Sequence, residues 1–241
     1  MKTDMTIKYK IYVEGEGEVV FISQLLQKIY ANSEIDLYKD AMNATLEYEE
    51  GFGIHVLAMG GISSKKLKLN FREIQQERQL GIKAIMLVDA DDSDPGHHPK
   101  GSYAVRKAYM EKKLAEFKIG ELPYFIMPGV NQDGNLEDML EKAVSSKGSS
   151  TFNCVSRYIE CLTGIDEKSR PKLVAENCEK KDSKGDVVFK PAKMNKVRFE
   201  YYVFTMLGRR ETGDKSKLTG RDYLDGDVWD LESEALDELR E

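Results

Sequence analysis

The feature that most constrains the fold is a continuous apolar run, Lys83–Val88 (KAIMLV), which ends abruptly in the acidic segment DADDSD. A strand that is apolar on both faces is typical of the centre of a parallel sheet, because helices then cover it on both sides. Parallel strands need long crossovers between them, and helical patterns flank this run in the chain. The run therefore predicts an α/β fold.

The same alternation extends over most of the first 145 residues. Short apolar or alternating runs are separated by amphipathic helical segments, in the order β-α-β-α-β-α-β-α. We expect a three-layer domain with a mainly parallel sheet of about four or five strands and helices on both faces. The strands are predicted at Ile7–Val13, Ile54–Met59, Lys83–Val88 and Tyr124–Met127, and the helices at 18–30, 67–80, 103–117 and 136–144.

Beyond residue 145 the pattern weakens. Helices are predicted at Phe152–Leu162 and at about Ala192–Leu207, with a polar, Lys-rich stretch between them. We expect residues 1–145 to form the core of the fold, and residues 146–241 to form a helical C-terminal extension that completes the same domain.

Composition narrows the class of protein. The chain of 241 residues has no apolar stretch long enough for a membrane helix and no apolar signal-peptide core, so we expect a soluble, cytoplasmic protein. Its three cysteines form no CxxC pair, which favours reduced thiols over a zinc site or a disulfide framework. The net charge of −6 argues against broad electrostatic binding to a polyphosphate. Any contact with nucleic acid must then be local or mediated by a metal ion.

Two carboxylate clusters follow predicted strands. The first, 14–18 (EGEGE), comes directly after the first strand, and the second, 89–94 (DADDSD), comes directly after the central one. The carboxyl ends of parallel strands meet at one edge of a sheet, where ligands bind. Several carboxylates at one edge oppose each other's ionisation, and a divalent cation such as Mg²⁺ removes that penalty. The placement predicts a Mg²⁺ site.

Other interpretations of these segments fit less well. An EF-hand that began at Asp89 would need a glycine and a glutamate at the positions where this chain has Asp94 and Lys100. The dinucleotide fingerprint GxGxxG fails because Val20 stands where its third Gly belongs. The remaining alternative is that both runs are solvated loops, with Glu18 stabilising a helix N-terminus.

These residues resemble the TOPRIM domain, which topoisomerases, primases, recombination-repair proteins and the OLD-family (overcoming lysogenisation defect) nucleases share. Its signature is an apolar strand that ends in Glu-Gly and a later one that ends in Asp-x-Asp, and the corresponding segments here are IYVEGEGE and IMLVDADDSD. The glycine pair Gly60-Gly61 matches the pair that often follows the second strand. The stretch PYFIMPGVNQDGNLEDMLEKAV is similar to small bacterial TOPRIM-like proteins of unknown function related to the OLD nucleases.

The resemblance, which covers about residues 7–145 well, implies a TOPRIM-like catalytic core and assigns roles to single residues. Glu14 becomes a metal ligand and general acid or base, and Glu18 matches a second acidic position of the OLD-type nucleases. Asp89 and Asp91 become the principal Mg²⁺ ligands, with Mn²⁺ as a substitute, and Glu137 is available to a second ion. Lys193 is the best match to a basic residue of a late helix in those families, and it would contact a phosphate or stabilise developing charge. Lys196 is the next best match.

The resemblance implies a Mg²⁺-dependent nuclease or phosphodiesterase that acts on DNA or RNA, with a role in phage defence. The chain has no P-loop motif, so any ATPase involved must be a partner chain. Two alternatives stay open. One is a non-catalytic nucleic-acid-binding protein with a structural metal, and the other is a nucleotidyl- or phosphotransferase that acts on a small nucleotide.

Overall fold

The computed structural model describes residues 5–30, 35–37, 42–49, 51–91, 102–166, 169, 171, 179–181, 187–189, 194–207 and 222–240. The predicted α/β class is confirmed: a mixed, mostly parallel sheet is packed between helices. The sheet consists of β1 (Thr6–Val13), β2 (Ile35–Leu37), β3 (Asn43–Glu49), β4 (Phe52–Ala58), β5 (Lys83–Asp89) and β6 (Tyr124–Met127).

The strands are arranged in the order β2-β3-β4-β1-β5-β6. Strands β4, β1, β5 and β6 are parallel, and they correspond to the four predicted strands. Strand β3 is antiparallel to both β2 and β4. Strands β2 and β3 have no counterpart among the predicted strands.

The described residues form seven α-helices, besides a 3₁₀-helix at Glu234–Leu236. They are α1 (Glu16–Ile29), α2 (Ser64–Gln79), α3 (Tyr103–Glu116), α4 (Leu136–Lys142), α5 (Ser149–Thr163), α6 (Met194–Leu207) and α7 (Asp237–Arg240). Polar residues mark the helix starts as expected: the Ser102 hydroxyl accepts from the Val105 N–H at 3.2 Å, and the Asn135 side chain accepts from the Asp138 N–H at 3.2 Å. A separate antiparallel pair, β7 (Glu179–Lys181) and β8 (Val187–Phe189), lies between α5 and α6 in the chain.

The buried side chains form one cluster on each face of the sheet. Alternate residues of a strand point to opposite faces, and so Val13 and Leu87 pack with α1 and α4, whereas Tyr12 and Met86 pack with α2 and α3. The sheet is therefore covered on both faces, as its central apolar strand predicts.

The C-terminal part of the chain shares the first of these clusters. Phe199 of α6 stacks on Trp229 with ring centroids 5.4 Å apart, and the Tyr202 hydroxyl donates to the Val228 carbonyl at 2.8 Å. Trp229 and Val144 also form an isolated β-bridge. The segment around Trp229 is thus fixed both to α6 and to Val144, at the end of residues 1–145. Among the described residues, no helix is both long and apolar enough to cross a bilayer.

Candidate functional site

The parallel part of the sheet has one topological switch point, between β1 and β5. The chain passes from β1 to β4 on one side and then to β5 on the other, so the connections that follow β1 and β5 diverge to opposite sides. Ligands of open α/β sheets bind in the crevice outside the carboxyl ends of such a pair of strands. Glu14 directly follows β1, and Asp89 is the last residue of β5.

Five carboxylates predicted from the sequence are electrostatic neighbours at this end of the sheet. We call the following residues the acidic edge: Glu14, Glu18, Asp89, Asp91 and Glu137. Asp89 is at its centre, with only 6% of its surface exposed. Burial, and then repulsion by the other four carboxylates, raises the pKa of Asp89 well above its ordinary value.

The Asp89 side chain faces the start of α4, where its Oδ1 accepts from the Leu136 N–H at 3.2 Å. Its backbone reaches two other members of the site. The Asp89 N–H donates to Glu14 Oε2 at 3.4 Å, and its carbonyl accepts from Arg106 Nε at 2.6 Å. Asp89 thus connects the end of β1 to α3 and α4.

A glycine pair fixes the backbone of Glu14. Gly60 and Gly61 have φ values of 70° and 101°, which glycine adopts readily, and the Gly61 N–H donates to the Glu14 carbonyl at 2.9 Å. Burial raises the pKa of Glu14, and the nearby Arg106 guanidinium opposes that rise. Glu14 is therefore easier to protonate than an ordinary glutamate.

Asp91 lies just beyond β5 in a left-handed conformation, with φ of 63°. Its N–H donates to the Gly134 carbonyl at 2.7 Å, and its carboxylate forms an ion pair with Arg106 Nη2. The Asp91 side chain is about half exposed, whereas that of Arg106 is buried. Arg106 thus fixes Asp91 on the solvent side of the edge.

Arg106 has no counterpart among the residues predicted from the sequence. It is 8% exposed and contacts both motif aspartates, through the Asp89 carbonyl and the Asp91 carboxylate. A signal was present: Arg106 lies four residues before the buried Met110 on α3, so it belongs to the face of the helix that packs on the sheet. A buried arginine is rare without a partner, and here the partner is the Asp-x-Asp motif.

Glu18, Glu137 and Lys196 lie on the α1 and α4 side of Asp89. Glu18 Oε2 accepts from the Gly15 N–H at 2.9 Å, so it does stabilise a helix N-terminus, but burial and then Glu137 raise its pKa. Glu137 Oε2 is buried without a hydrogen-bond partner, and Glu137 Oε1 is 3.7 Å from Lys196 Nζ. Burial alone would lower the pKa of Lys196, yet carboxylates of the acidic edge, led by Glu137 and Asp89, raise it.

Lys196, the second choice for the basic residue, lies next to the acidic edge. Lys193, the first choice, lies outside the described residues, as do Asp92 and Asp94 of the second carboxylate cluster. Their part in the site stays a prediction.

A cleft of about 610 Å³ opens beside the acidic edge, between the starts of α2 and α3. Glu14, Asp91 and Arg106 line it, together with Ser63 and Tyr109. The Tyr109 hydroxyl donates to the Ile62 carbonyl at 3.0 Å and ties the two walls together. Of the five carboxylates, Glu14 and Asp91 therefore face the cleft, while Asp89 is directed towards α4.

In the part of the chain that the structure describes, no three His, Cys, Asp or Glu side chains form a group that could hold a metal ion as they stand. The donor chemistry nevertheless suits Mg²⁺: the acidic edge offers carboxylate oxygens alone, and the buried Glu137 Oε2 lacks a partner. Arg106 occupies the Asp91 carboxylate, so an ion at this position competes with the guanidinium. The predicted metal ligands are neighbours without forming a ready-made chelate.

Comparison of the chain with protein-family models, with curated proteins and with solved structures gives no match. The likeness to the TOPRIM pattern therefore depends on the motif residues quoted above.

Proposed function

We propose that this protein is a Mg²⁺-dependent nuclease or related phosphodiesterase of the TOPRIM-like type, acting on nucleic acid. One observation carries the proposal: the acidic edge lies at the switch point of the sheet, and the described residues next to it supply fewer cations than carboxylates. Among the described residues, Arg106 and Lys196 are the two cationic side chains that interact with its five carboxylates. Full ionisation would leave excess negative charge in a largely buried position.

A divalent cation is the simplest partner for this charge. Asp89 and Asp91 are the first candidates to hold it, with Glu14 from β1, and Glu137 is available to a second ion. When bound, Mg²⁺ would orient a phosphate and stabilise charge on its oxygens. The raised pKa of Asp89 supports this assignment, because a bound cation would favour the ionised carboxylate that repulsion now disfavours.

Two protein groups suit the remaining chemistry. Glu14 lines the cleft, and burial raises its pKa, which suits a carboxylate that accepts and returns a proton. Lys196 has a raised pKa and therefore stays protonated, which suits a role in stabilising negative charge on a phosphate. Arg106 is a positioning residue that holds Asp91 and the backbone of Asp89.

A plasmid-nicking assay with Mg²⁺ or Mn²⁺ tests the proposal. Glu14→Gln and Asp89→Asn preserve shape and remove charge, and we expect each to reduce the rate by about 10²–10⁴-fold. Glu16→Gln is a matched control, because Glu16 is exposed in the same EGEGE segment. Equal activity of the wild type, both site variants and the control would refute the assignment of this site.

A second candidate is a nucleotidyl- or phosphotransferase that acts on a small nucleotide. The 610 Å³ cleft favours it, since small-molecule pockets commonly measure about 300–1,000 Å³. Protection of the protein from thermal unfolding by a nucleoside triphosphate, without any effect of oligonucleotides, would support this candidate over a nuclease.

The third possibility left open by the sequence, a non-catalytic nucleic-acid-binding protein with a structural metal, stays a prediction. Thermal stabilisation by Mg²⁺ without turnover of DNA or RNA would support it. A defence role and an ATPase partner chain rest on the resemblance alone and stay predictions.

A further inference from the structure

A second cleft, of about 270 Å³, lies at the opposite end of the sheet from the acidic edge. It is formed near the starts of β1, β4 and β5 and the end of β3. We call its principal lining residues the aromatic patch: Lys8, Tyr9, Tyr48, Phe52 and Lys83. Tyr9 is 38% exposed, and both lysines are exposed, so the patch is open to solvent.

Two irregularities of the sheet shape this cleft. The register of β1 against β4 shifts between Ile7 and Tyr9, which leaves Lys8 as the extra residue. The register of β3 against β4 shifts between Glu47 and Glu49, which leaves Tyr48 as the extra residue. A β-bulge redirects a side chain at the cost of local pairing, and both extra residues here line the same cleft.

Cations lie over the aromatic rings of the patch. Lys8 Nζ is 4.9 Å from the centre of the Phe52 ring, and Lys83 Nζ is 5.6 Å from that of Tyr9. A cationic ligand would be repelled by these lysines, which already occupy ring faces. One carboxylate, Glu49, also lines the cleft, so its two lysines leave a positive balance among the described lining residues. The patch therefore favours a ligand that combines a flat ring with negative charge.

We propose that the aromatic patch binds single-stranded nucleic acid, with a base that takes the place of the Lys83 side chain over the Tyr9 ring, so that Lys83 and Lys8 contact the phosphates. Base stacking on aromatic side chains combined with cationic contacts to the backbone is the general mode of single-strand binding.

A row of rings favours an oligonucleotide over a free nucleotide. The centroids of Tyr9 and Tyr48 are 5.8 Å apart with the ring planes at 67°, and those of Tyr48 and Tyr30 are 5.7 Å apart with the planes at 47°, so a row of mutually inclined rings continues from the cleft towards the end of α1. A strand whose bases contact these rings one after another uses the whole row, whereas a mononucleotide uses a single ring.

This site goes beyond the proposed enzyme function and needs no metal ion. Tyr9 and Glu14 are five positions apart along β1, which is about 16 Å at the usual rise of a strand. Binding at the aromatic patch and chemistry at the acidic edge can therefore be tested separately.

The test is fluorescence anisotropy of a labelled oligothymidylate with the full chain in EDTA, which removes any contribution of a metal ion. Tyr9→Leu keeps apolar packing but removes the stacking surface, and we expect it to raise Kd at least tenfold. Lys83→Gln should weaken binding and lower the slope of log K against log salt by about 0.7. The controls are Tyr158→Leu and Lys68→Gln, at an exposed tyrosine and an exposed lysine of other surfaces.

Fluorescence of the buried Trp229 verifies that each variant is folded, and the Lys8→Gln, Lys83→Gln double variant gives a second test without altering any ring. Unchanged Kd in Tyr9→Leu and in the double variant would overturn the proposal. Equal affinity for duplex DNA would exclude stacking, and equal affinity for thymidine monophosphate would exclude an oligonucleotide as the specific occupant. Loss of plasmid nicking in Glu14→Gln with unchanged oligonucleotide binding is the expected separation of the two sites.

Discussion

Asp89→Asn should make the metal-free protein more stable while abolishing its response to Mg²⁺. The substitution removes one charge from a residue that is 6% exposed, and asparagine retains an oxygen that can accept from the Leu136 N–H. A single like charge about 8 Å away costs about 2 kcal/mol at an effective dielectric constant of about 20. We therefore expect the free energy of unfolding in EDTA at pH 8 to rise by about 2 kcal/mol, which corresponds to about 4–8 °C in Tm.

The stability of the metal-free wild type should change with pH in a defined direction. Burial and the other members of the acidic edge raise the pKa of Asp89 above its ordinary value of 3.8. As the pH falls through the folded-state pKa towards 3.8, the folded state takes up the proton before the unfolded state does, and stability increases. The metal-free wild type should lose this contribution as the pH rises, and the variant should lack it. The difference in the free energy of unfolding between Asp89→Asn and the wild type should therefore become smaller as the pH falls.

Thermal unfolding in EDTA and in excess Mg²⁺ measures both effects, with the emission of the single tryptophan, Trp229, as the probe. Mg²⁺ should raise the Tm of the wild type, because an ion that binds only the folded state stabilises it, and should leave Asp89→Asn unchanged. Asp166→Asn, at an exposed aspartate, is the control. The reasoning would be refuted if Asp89→Asn had a lower Tm than the wild type in EDTA, or if Mg²⁺ raised its Tm as much as that of the wild type.

Three further predictions address other parts of the molecule. Arg106→Met removes a buried guanidinium from Asp91 and should destabilise the protein by about 1–3 kcal/mol, measured by urea unfolding, since Asp91 remains half exposed. Burial lowers the pKa of His55 below its ordinary 6.5, so its contribution to stability is present above pH 6.5 and is lost as the pH falls towards the folded-state pKa. His55→Gln should flatten that part of the curve of Tm against pH. Trp229→Ala should cost about 3–5 kcal/mol in calorimetry, because its ring packs against α6 in the main core; a loss below 1 kcal/mol would contradict a shared core.

The parallel strands could be predicted because their signal is local. Lys83–Val88 is apolar throughout, and Ile7–Val13 ends at an acidic turn, so each strand is visible without its neighbours. Strand β3 is different: only Ala44, Thr45 and Leu46 are buried, and its pairing with β4 contains a bulge. Three consecutive buried residues show no hydrophobic periodicity that identifies a strand. We infer that β3 forms because it can pair with the free edge of β4.

The residues of the candidate site, too, could be predicted only where their position depends on local sequence. Glu14 and Asp89 follow strands directly, so strand direction alone brings them to one edge. The ion pair of Arg106 with Asp91 depends on how α3 packs against β5, which no spacing along the chain encodes. The position of Lys196 next to Glu137 depends on which face of α6 meets α4, and Lys193 lies outside the described residues.

The acidic net charge becomes an argument about mechanism once both ends of the sheet are considered. An edge of five carboxylates repels a phosphate backbone unless a cation is bound, and so it cannot supply affinity for nucleic acid by itself. The aromatic patch would supply that affinity through stacking, which acts at short range and tolerates a chain of net charge −6. The two proposals together require that oligonucleotide binding persist in EDTA while cleavage stops. Binding that disappears with the metal would mean that the acidic edge is where the nucleic acid is held, and that the aromatic patch contributes nothing.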